Sequence, residues 1–280
     1  IVVDYLSAQL SEIAGLFYAK PSAQLKLIGI TGTNGKTSCA WMVAQLLEAI
    51  GEPCGLIGTL GNGRFGRLNS GNNTTPDAVS VQALLGDWRD GGASWAAMEV
   101  SSHGLAQHRV AALQFTAAVF TNLSQDHLDY HGSMAAYGEE KARLFNWADL
   151  QLAVINRDDE FGRQLLKRSK AKQVIDFSVF DNKAKVYAED VSCDMSGIRA
   201  RLRSVWGDLT ISSTLLGGFN LSNLLAASAV LLGLGVPAKK IEAALPLLKP
   251  VPGRMECLRS NDNVLAVIDY AHTPDALQKV

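Results

Sequence analysis

A glycine-rich turn near the start of the chain constrains its fold more than any other feature. Residues 28–38 read IGITGTNGKTS, an apolar stretch that runs through a turn with Gly32 and Gly35 into a Lys-Thr pair. In such a turn, glycines let backbone N–H groups surround an anion, and the amino end of the following helix adds partial positive charge. Lys36 adds a full charge, and Thr37 offers a hydroxyl to the Mg²⁺ that accompanies a nucleotide. The stretch therefore predicts a strand, a phosphate-binding loop and a helix.

The turn departs from the usual phosphate-binding pattern at one position. The pattern G-x-x-x-x-G-K-[ST] has glycine where this chain has Ile30. A glycine turn alone can be no more than a turn, but the residues after it favour a nucleotide site. Apolar side chains recur there at steps of three and four residues before Gly51 and Pro53, which predicts a helix that ends near Ile50.

Composition favours a soluble protein of the cytoplasm. The chain has 280 residues, 48% of them apolar, which is enough for one large domain or two small ones. Its 26 basic and 27 acidic residues leave a net charge of −1, so we expect neither a nucleic acid nor a membrane partner. No apolar run approaches the roughly eighteen residues of a membrane span. The scattered cysteines form no C-x-x-C pair and predict reduced thiols: Cys39, Cys54, Cys193 and Cys257.

The order of the predicted elements indicates the fold class. A short amphipathic helix from about Asp4 to Phe17 precedes an alternation of apolar strands and helices, which is typical of a parallel sheet covered on both faces. Period-two alternation at 174–216 predicts antiparallel strands, and helical periodicity returns at 221–234. We therefore predict an α/β fold with a P-loop-type, mainly parallel sheet flanked by helices and a small antiparallel subsheet. The predicted parallel strands are 25–30, 94–100, 117–121 and 152–156.

Open sheets of this kind bind ligands outside the carboxyl ends of their strands, so polar residues that follow the strands are candidates for function. Glu99 comes at the end of one strand, in MEVSSHG. A carboxylate there, facing a phosphate loop, would ligate Mg²⁺, which favours one or two carboxylates plus phosphate oxygens. Taken alone, Glu99 would be interpreted as a carboxylate at the start of a helix.

The stretch FTNLSQDHLDYH at 120–131 follows another strand and places two His and two Asp within six residues. On a helix, His127 and His131 would share one face. A zinc pair is one interpretation, although no Cys or spaced acidic partner completes it. A second Mg²⁺ contact and an imidazole that orients the substrate are the alternatives that we favour.

Further polar clusters stand out by residue type. The loop NNTTP at 72–76 is either a turn or a binding loop. Asn220 and Asn223 lie three residues apart in GGFNLSN, where one could cap a helix or both could bind a purine edge. The clusters GRME at 253–256 and DYAHTP at 269–274 say little in isolation.

Together these motifs resemble the central domain of the Mur ligases, the ATP-dependent amide-forming enzymes of peptidoglycan synthesis. The likeness is greatest to members that add a diamino acid, and it extends from Leu25 to Lys279. The matching stretches are TGTNGKT, NNTTP, MEVSSHGL, QHR, FTNLSQDHLDYHG, EEKARLF, GGFNLSN, GRME and DYAHTPDAL.

The resemblance implies a domain organisation. Residues 1–24 would be a linker from an N-terminal UDP-binding domain, 25–268 the ATP-binding central domain, and 269–280 the hinge to a C-terminal domain. The first residue is Ile1, not Met, and the last residues, 275–280, read as the start of a helix. We therefore expect a piece of a longer protein, which binds nucleotide but is itself inactive.

The resemblance also implies a reaction. The substrate carboxylate of UDP-MurNAc-L-Ala-D-Glu would take the γ-phosphoryl group of ATP, and the amine of meso-diaminopimelate would then attack the acyl phosphate. The enzyme would be a cytoplasmic monomer that uses two Mg²⁺ ions. Its catalytic residues would be Lys36, Glu99, His127 and Lys141, and its metal contacts Thr37, Glu99, His127 and Lys141.

Two further sets of binding residues follow from the resemblance. Those for ATP would be Gly32, Thr33, Asn34, Gly35, Lys36, Thr37, Ser38, Asn220, Asn223, Arg254 and Asp269. Those for the muramoyl peptide would be Asn73, Thr74, Thr75, Ser101, Gln107 and Arg109.

Lys141 matches the lysine that the family carries as a CO₂-derived carbamate beside the second Mg²⁺. Only a neutral amine attacks CO₂, whereas an ordinary lysine, with a pKa of about 10.4, is almost entirely protonated at pH 7. Burial or a cationic neighbour would have to lower that pKa. The alternative is a surface lysine paired with Glu139 or Glu140.

Three other functions remain open from the sequence. A lysine-adding muramyl ligase would share every motif. A folylpolyglutamate synthetase-like ligase would share the loop and the lysine but not the EVSSHGL and QHR stretches. A non-ligase nucleotide-binding protein, such as a GTPase or a nucleotide kinase, would usually keep the first glycine of the loop, and a GTPase would need a guanine-binding N-K-x-D stretch, which we do not find.

Overall fold

A computed structural model describes residues 5–259 and 265–280 of the chain. Eleven strands form one sheet in the order β11-β10-β9-β8-β7-β6-β1-β5-β2-β3-β4, and β12 and β13 pair separately. The strands are β1 Lys26–Thr31, β2 Cys54–Gly58, β3 Gly61–Arg64, β4 Arg67–Asn69, β5 Trp95–Glu99, β6 Ala117–Phe120, β7 Leu152–Asn156, β8 Gln173–Ser178, β9 Val186–Asp194, β10 Gly197–Ser204, β11 Leu209–Ser213, β12 Glu256–Arg259 and β13 Leu265–Ile268.

Helices connect the strands and cover the sheet. Short 3₁₀ turns at Pro21–Gln24, Arg143–Asn146 and Leu245–Leu247 join some of them. The α-helices are α1 Leu6–Phe17, α2 Lys36–Ala49, α3 Ala78–Asp90, α4 Ser102–Ala106, α5 Leu128–His131, α6 Met134–Ala142, α7 Glu160–Arg168, α8 Gly218–Gly233, α9 Ala238–Ala244 and α10 Pro274–Lys279.

The centre of the sheet is parallel, and its strand order changes direction at β1. Strand β1 pairs in parallel with β5 on one side and with β6 on the other. A ligand crevice forms at such a switch point because the loops after adjacent strands diverge to opposite faces. The loops that follow β1, β5 and β6 therefore meet at one edge, and these are the loops that carry the predicted site.

Alternate side chains of β1 pack into the two hydrophobic cores on opposite faces of the sheet. Ile28 and Ile30 are fully buried in the core beneath α2 and α8, whereas Leu27 is buried in the core on the opposite face. A strand buried on both faces must be apolar at successive positions, as this one is. Burial of this kind holds the end of β1, and the loop after it, in a fixed place.

The predicted fold class is confirmed, with differences at the edges of the sheet. Strand β8 joins the parallel region and pairs in parallel with β9, whereas the β9–β10 and β10–β11 pairs that complete this edge are antiparallel. The sequence analysis missed the β3–β4 hairpin at the other edge, where the glycine-rich strands lack an apolar pattern. Helix α1 is confirmed from Leu6, while its predicted start at Asp4 lies outside the described residues. Within those residues, no helix combines the length and the apolar character needed to cross a membrane.

Candidate functional site

The phosphate loop lies between β1 and α2, and two of its glycines are required by geometry. Gly35, directly before α2, has a φ of 83°, in the left-handed region that favours glycine. At Gly32 an added Cβ would lie 1.9 Å from Thr121 Oγ1, which follows β6. The loop is therefore packed directly against the residues that follow the neighbouring strand.

Lys36 folds back over this loop. Its Nζ donates hydrogen bonds to the carbonyl oxygens of Gly32 at 3.0 Å and Thr33 at 2.8 Å. Loss of hydration lowers the pKa of Lys36, although the negative charges of Glu99 and Asp126 act in the opposite direction. The amine is thus held over the loop, where a bound phosphate would offer it stronger acceptors.

Glu99 ends β5 inside the protein, with 1% of its surface exposed. It accepts hydrogen bonds from Thr37 Oγ1 at 2.9 Å and from the Thr59 amide at 2.8 Å. Burial raises the pKa of this carboxyl group, and the positive charge of Lys36 partly offsets the rise. The alternative of a helix-start carboxylate is wrong. A buried carboxylate next to a hydroxyl at the mouth of a phosphate loop is a donor set that fits Mg²⁺.

Lys141 lies on α6 and is 1% exposed. Its Nζ donates to the Gly32 carbonyl oxygen at 2.9 Å and lies 4.3 Å from the centre of the Tyr137 ring. Burial lowers the pKa of Lys141 well below its ordinary value, and the positive charge of Lys36 lowers it further. The alternative of a surface lysine is wrong, because Glu139 instead pairs with Arg168, and Glu140 with Arg143.

A group of aromatic rings covers one wall of the site. His127 precedes the single turn of α5 and lies 3.4 Å from Asp126, measured between Nε2 and Oδ2. The His131 ring nitrogen Nε2 is hydrogen-bonded to Ser102 Oγ at 2.9 Å. Burial lowers the pKa of both imidazoles. Within the described residues, no group of three or more His, Cys, Asp or Glu could hold a metal ion.

These side chains surround one cavity of about 310 Å³. It brings together residues predicted for phosphate, for metal and for the muramoyl peptide, along with neighbours that were not predicted. The lining residues are Lys36, Asn73, Thr74, Thr75, Ser101, Ser102, His103, Arg109, His127, Tyr137 and Lys141.

The peptide side of the cavity is organised around Thr75. Its hydroxyl donates to the Glu99 carbonyl oxygen at 2.8 Å and lies 3.1 Å from Ser101 Oγ. Arg109 donates to the Thr75 carbonyl oxygen at 2.6 Å and also binds the side-chain oxygen of Gln107. The 72–76 stretch is thus tied to the end of β5 and leaves a guanidinium group at the cavity wall.

The two asparagines of α8 lie behind the loop. Asn223 Nδ2 donates to Asn220 Oδ1 at 3.1 Å, and Asn220 Nδ2 donates to the Leu216 carbonyl oxygen at 2.7 Å. Neither caps the helix, because the cap position is Gly217. An added Cβ at Gly35 would lie 2.6 Å from Asn223 Oδ1, so this amide directly supports the loop.

Arg254 and Asp269 lie in the segment around the β12–β13 hairpin. The Arg254 guanidinium lies 4.8 Å from the centre of the Tyr270 ring, and Asp269 Oδ2 accepts a hydrogen bond from the Met255 amide at 2.8 Å. Neither lines the cavity. The positive charge of Arg254 nevertheless acts on the pKa values of Lys36 and Glu99, and Asn34 Nδ2 donates a hydrogen bond to Asp275 Oδ2 of α10 at 3.4 Å.

Sequence reasoning missed several residues of the cavity wall. Ser102 and His103 lie within the EVSSHGL stretch. Their position just after β5 could have identified them as candidate site residues. Tyr137 had no such signal. It is fully buried on α6, and its hydroxyl lies 3.2 Å from Thr33 Oγ1, a contact between residues distant in sequence.

Comparisons with known proteins support this view of the fold. The family described as Mur ligase middle domain matches residues 30–231. The UDP-N-acetylmuramoyl-L-alanyl-D-glutamate--2,6-diaminopimelate ligase of Pseudomonas aeruginosa is 54% identical over 280 residues, which are 100% of this chain and 58% of that protein. A solved structure of a ligase with the same name has a TM-score of 0.87 and 37% identity, covering 99% of this chain and 57% of its own.

A folylpolyglutamate synthase of Mycobacterium tuberculosis shares the fold, with a TM-score of 0.79 and 21% identity over 96% of this chain and 68% of its own. The present chain thus spans just over half the length of the diaminopimelate ligases that it matches. The matched range includes the loop after β1, Glu99 and Lys141. The chain belongs to the Mur ligase family and contains the family's middle domain.

Proposed function

We propose that this chain is the ATP-binding part of a ligase that adds meso-diaminopimelate to UDP-MurNAc-L-Ala-D-Glu in the cytoplasm. The observation that carries the proposal is one cavity that joins the loop lysine Lys36, the imidazole of His127 and the buried amine of Lys141 to the guanidinium of Arg109. The names of the similar ligases supply the substrate class. In this proposal, residues 1–24 are a linker, 25–268 the nucleotide-binding domain, and 269–280 a hinge.

The first chemical step would transfer a phosphoryl group. An oxygen of the D-glutamate carboxylate bonds to the γ-phosphorus of ATP, and the bond to the bridging oxygen breaks to release ADP. Lys36 and the loop amides would stabilise negative charge on the transferring group, as preorganised donors do. Thr37, Glu99 and His127 would hold the Mg²⁺ ions, which when bound neutralise phosphate charge.

The second step would form the amide. The neutral amine of the diamino acid attacks the acyl carbon, a tetrahedral intermediate forms, and its collapse expels phosphate while the nitrogen loses a proton. Arg109 and Ser101 would hold the muramoyl peptide in place, since both line the cavity beside the Thr75 loop. This positioning keeps the acyl phosphate close to the incoming amine.

Lys141 would carry a carbamate in this proposal. Its burial and its lowered pKa favour the neutral form of the amine. The amine nitrogen bonds to the carbon of CO₂, one C=O electron pair moves to oxygen, and a proton leaves the nitrogen. The resulting carboxylate would replace a positive charge beside Lys36 with a negative one, which suits a metal contact.

Asn220, Asn223, Arg254 and Asp269 would belong to the nucleotide site through the family resemblance. Support from the geometry differs between them. Asn223 lies against the loop at Gly35, whereas Asp269 accepts a hydrogen bond from the Met255 amide of its own segment. We propose that the full-length enzyme acts as a monomer.

Full-length protein, assayed for phosphate release with each muramyl nucleotide and each amino acid in turn, tests the proposal. Turnover that requires both the D-glutamate-ended nucleotide and diaminopimelate is the expected result. Turnover with lysine as the acceptor would identify a lysine-adding ligase, and turnover with a folate and glutamate would identify a folylpolyglutamate synthetase-like enzyme. Either outcome, or nucleotide hydrolysis without any acceptor, would overturn the assignment.

A further inference from the structure

His103, on α4, makes ring contacts with three side chains of the segment 127–131. Its imidazole centre lies 4.8 Å from the centre of the His127 ring, in an edge-to-face arrangement. It lies 4.3 Å from Tyr130 and 5.5 Å from His131. The side chain is half-buried and lines the cavity. One residue of the peptide-facing helix thus touches the residue proposed to face the metal.

The segment that His103 contacts has little packing of its own. Helix α5 consists of one turn, and none of its residues is buried. Its ties to α4 are the His103 ring contacts, the hydrogen bond between His131 and Ser102 at 2.9 Å, and a weaker one from Gln107 Nε2 to Tyr130 OH at 3.4 Å. No residue of α5 is buried, so its position depends on these contacts and on the buried Tyr137 of α6, whose ring centre lies 5.2 Å from that of His131.

The backbone of His127 gives an independent reason to expect such support. Its φ is 54°, in the left-handed region that non-glycine residues adopt at a cost in free energy. Such a conformation persists where the surroundings enforce it. Asp126 Oδ1 accepts a hydrogen bond from the His127 amide at 2.9 Å, and on the ring side His127 meets His103 and, at 6.1 Å, Tyr137.

We propose that His103 is a positioning residue that holds His127 at the cavity wall through ring packing. The consequence for catalysis rests on the proposed function, in which Ser101, directly before α4, holds the muramoyl peptide. Through His103, the peptide-facing helix and the metal-facing imidazole form one rigid wall. The group required of residue 103 is an aromatic ring, and its imidazole nitrogens are not needed for this role.

Hydrogen exchange in the full-length protein, without ligands, tests the positioning directly. The amides of Tyr130, His131 and Gly132 report on α5 because they donate to His127 and Leu128 carbonyl oxygens at 2.9 to 3.2 Å. An aromatic pair is worth enough that His103→Ala should speed their exchange roughly two- to tenfold. His103→Phe should restore the wild-type rates. His108→Asn is the matched control, because His108 is the next histidine along the chain and lies outside the cavity lining.

A second measurement links the positioning to the metal. In the same variants, the Mg²⁺ concentration for half-maximal phosphate release should rise with His103→Ala and return to the wild-type value with His103→Phe. Unchanged exchange in His103→Ala would overturn the proposal. So would a His103→Phe protein with normal exchange but a raised Mg²⁺ requirement, because the imidazole would then act directly. Failure of the wild type to turn over any muramyl nucleotide would overturn the proposed function but leave the exchange result valid.

Discussion

The carbonyl oxygen of Gly32 accepts hydrogen bonds from two lysines, with Lys36 Nζ at 3.0 Å and Lys141 Nζ at 2.9 Å. Two ammonium groups at one oxygen repel each other, and burial adds to the cost of charging either of them. Burial lowers both pKa values, that of Lys141 well below its ordinary range, and the positive charge of Lys36 lowers the pKa of Lys141 further. Burial beside the loop thus favours the neutral amine of Lys141, and in the proposed function Lys36 would contact the phosphate.

The pH dependence of folding tests the state of Lys141. In the folded protein its pKa is lowered, whereas an unfolded lysine keeps its proton up to about pH 10.4. Folding therefore releases a proton between these two pKa values, and stability rises with pH by at most about 1.4 kcal/mol per unit. Urea unfolding at pH 8 and 9.5 in CO₂-free buffer should show wild type gaining stability relative to Lys141→Met.

The control for this experiment is Lys167→Met, at an exposed position on α7. Its stability relative to wild type should not change between the two pH values. If the difference between wild type and Lys141→Met were equally independent of pH, Lys141 would be protonated in the folded protein, and the carbamate proposal would lose its chemical basis.

Gly32→Ala tests the close packing of the loop. The new methyl group would overlap Thr121 Oγ1 and approach the Asn122 backbone at 3.0 Å. We expect a loss of about 1 to 3 kcal/mol in unfolding free energy, and at least a tenfold loss of ATP affinity as the loop shifts. Calorimetric titration and urea unfolding measure the two effects.

Gly86→Ala provides the comparison for that substitution. This glycine lies inside α3, and its new methyl group would meet Tyr18 at an ordinary contact distance of 3.5 Å. Helix propensity predicts a gain of up to about 1 kcal/mol with unchanged ATP affinity. If Gly32→Ala bound ATP as tightly as wild type does, the loop would tolerate the displacement caused by the new methyl group, contrary to this prediction.

At the scale of elements, local sequence patterns predicted β1, the loop and α2 well. Each is specified by neighbouring residues, from the apolar run to the glycines and the helical stripe. The burial of Lys141 was not predictable in that way, because its partner Gly32 lies 109 residues earlier in the chain. The ring contacts of His103 and Tyr137 likewise arise when α4, α5 and α6 pack together, and no local pattern encodes them.

The amino end of α3 offers a prediction at this scale. Asp77 caps the helix by accepting hydrogen bonds from the Val79 and Ser80 amides, both at 3.0 Å. Asp77→Ala leaves these donors without their partner and should lower the unfolding free energy by about 1 kcal/mol. Asp77→Asn keeps an oxygen acceptor and should lose much less. Chemical denaturation of the three proteins measures the difference, and equal midpoints for Asp77→Ala and wild type would contradict the capping role.

At the scale of the whole molecule, the parallel order of the strands brings distant motifs together. Thr37 follows β1, Glu99 ends β5 and His127 follows β6, and these strands are neighbours in the sheet. Ligands bind outside the carboxyl ends of parallel strands, which predicts that such residues lie close together, and Thr37 Oγ1 does donate to Glu99 at 2.9 Å. This rule could not predict the position of Arg254, because the β12–β13 hairpin belongs to a separate small sheet.

The last prediction is that this chain binds nucleotide without catalysing ligation. This chain spans 58% of its Pseudomonas aeruginosa relative, and we propose that the diamino acid binds in the part that it does not cover. Residues 1–280 should therefore bind ATP with Mg²⁺ but form no amide. An enzyme-held amine reacts as if its concentration were about 10⁵ M or more, whereas a free amine reaches only millimolar levels. Water would then outcompete it for any acyl phosphate.

The measurement pairs a fluorescent-nucleotide titration with chromatography of the muramyl products. The 280-residue chain should bind the nucleotide, and Lys36→Met should weaken binding because it removes the ammonium group that would contact phosphate. Neither protein should yield the diaminopimelate adduct, while full-length protein should. Adduct formed by the 280-residue chain would mean that the amine site lies within these residues, where the cavity around Arg109 and Lys141 would have to contain it.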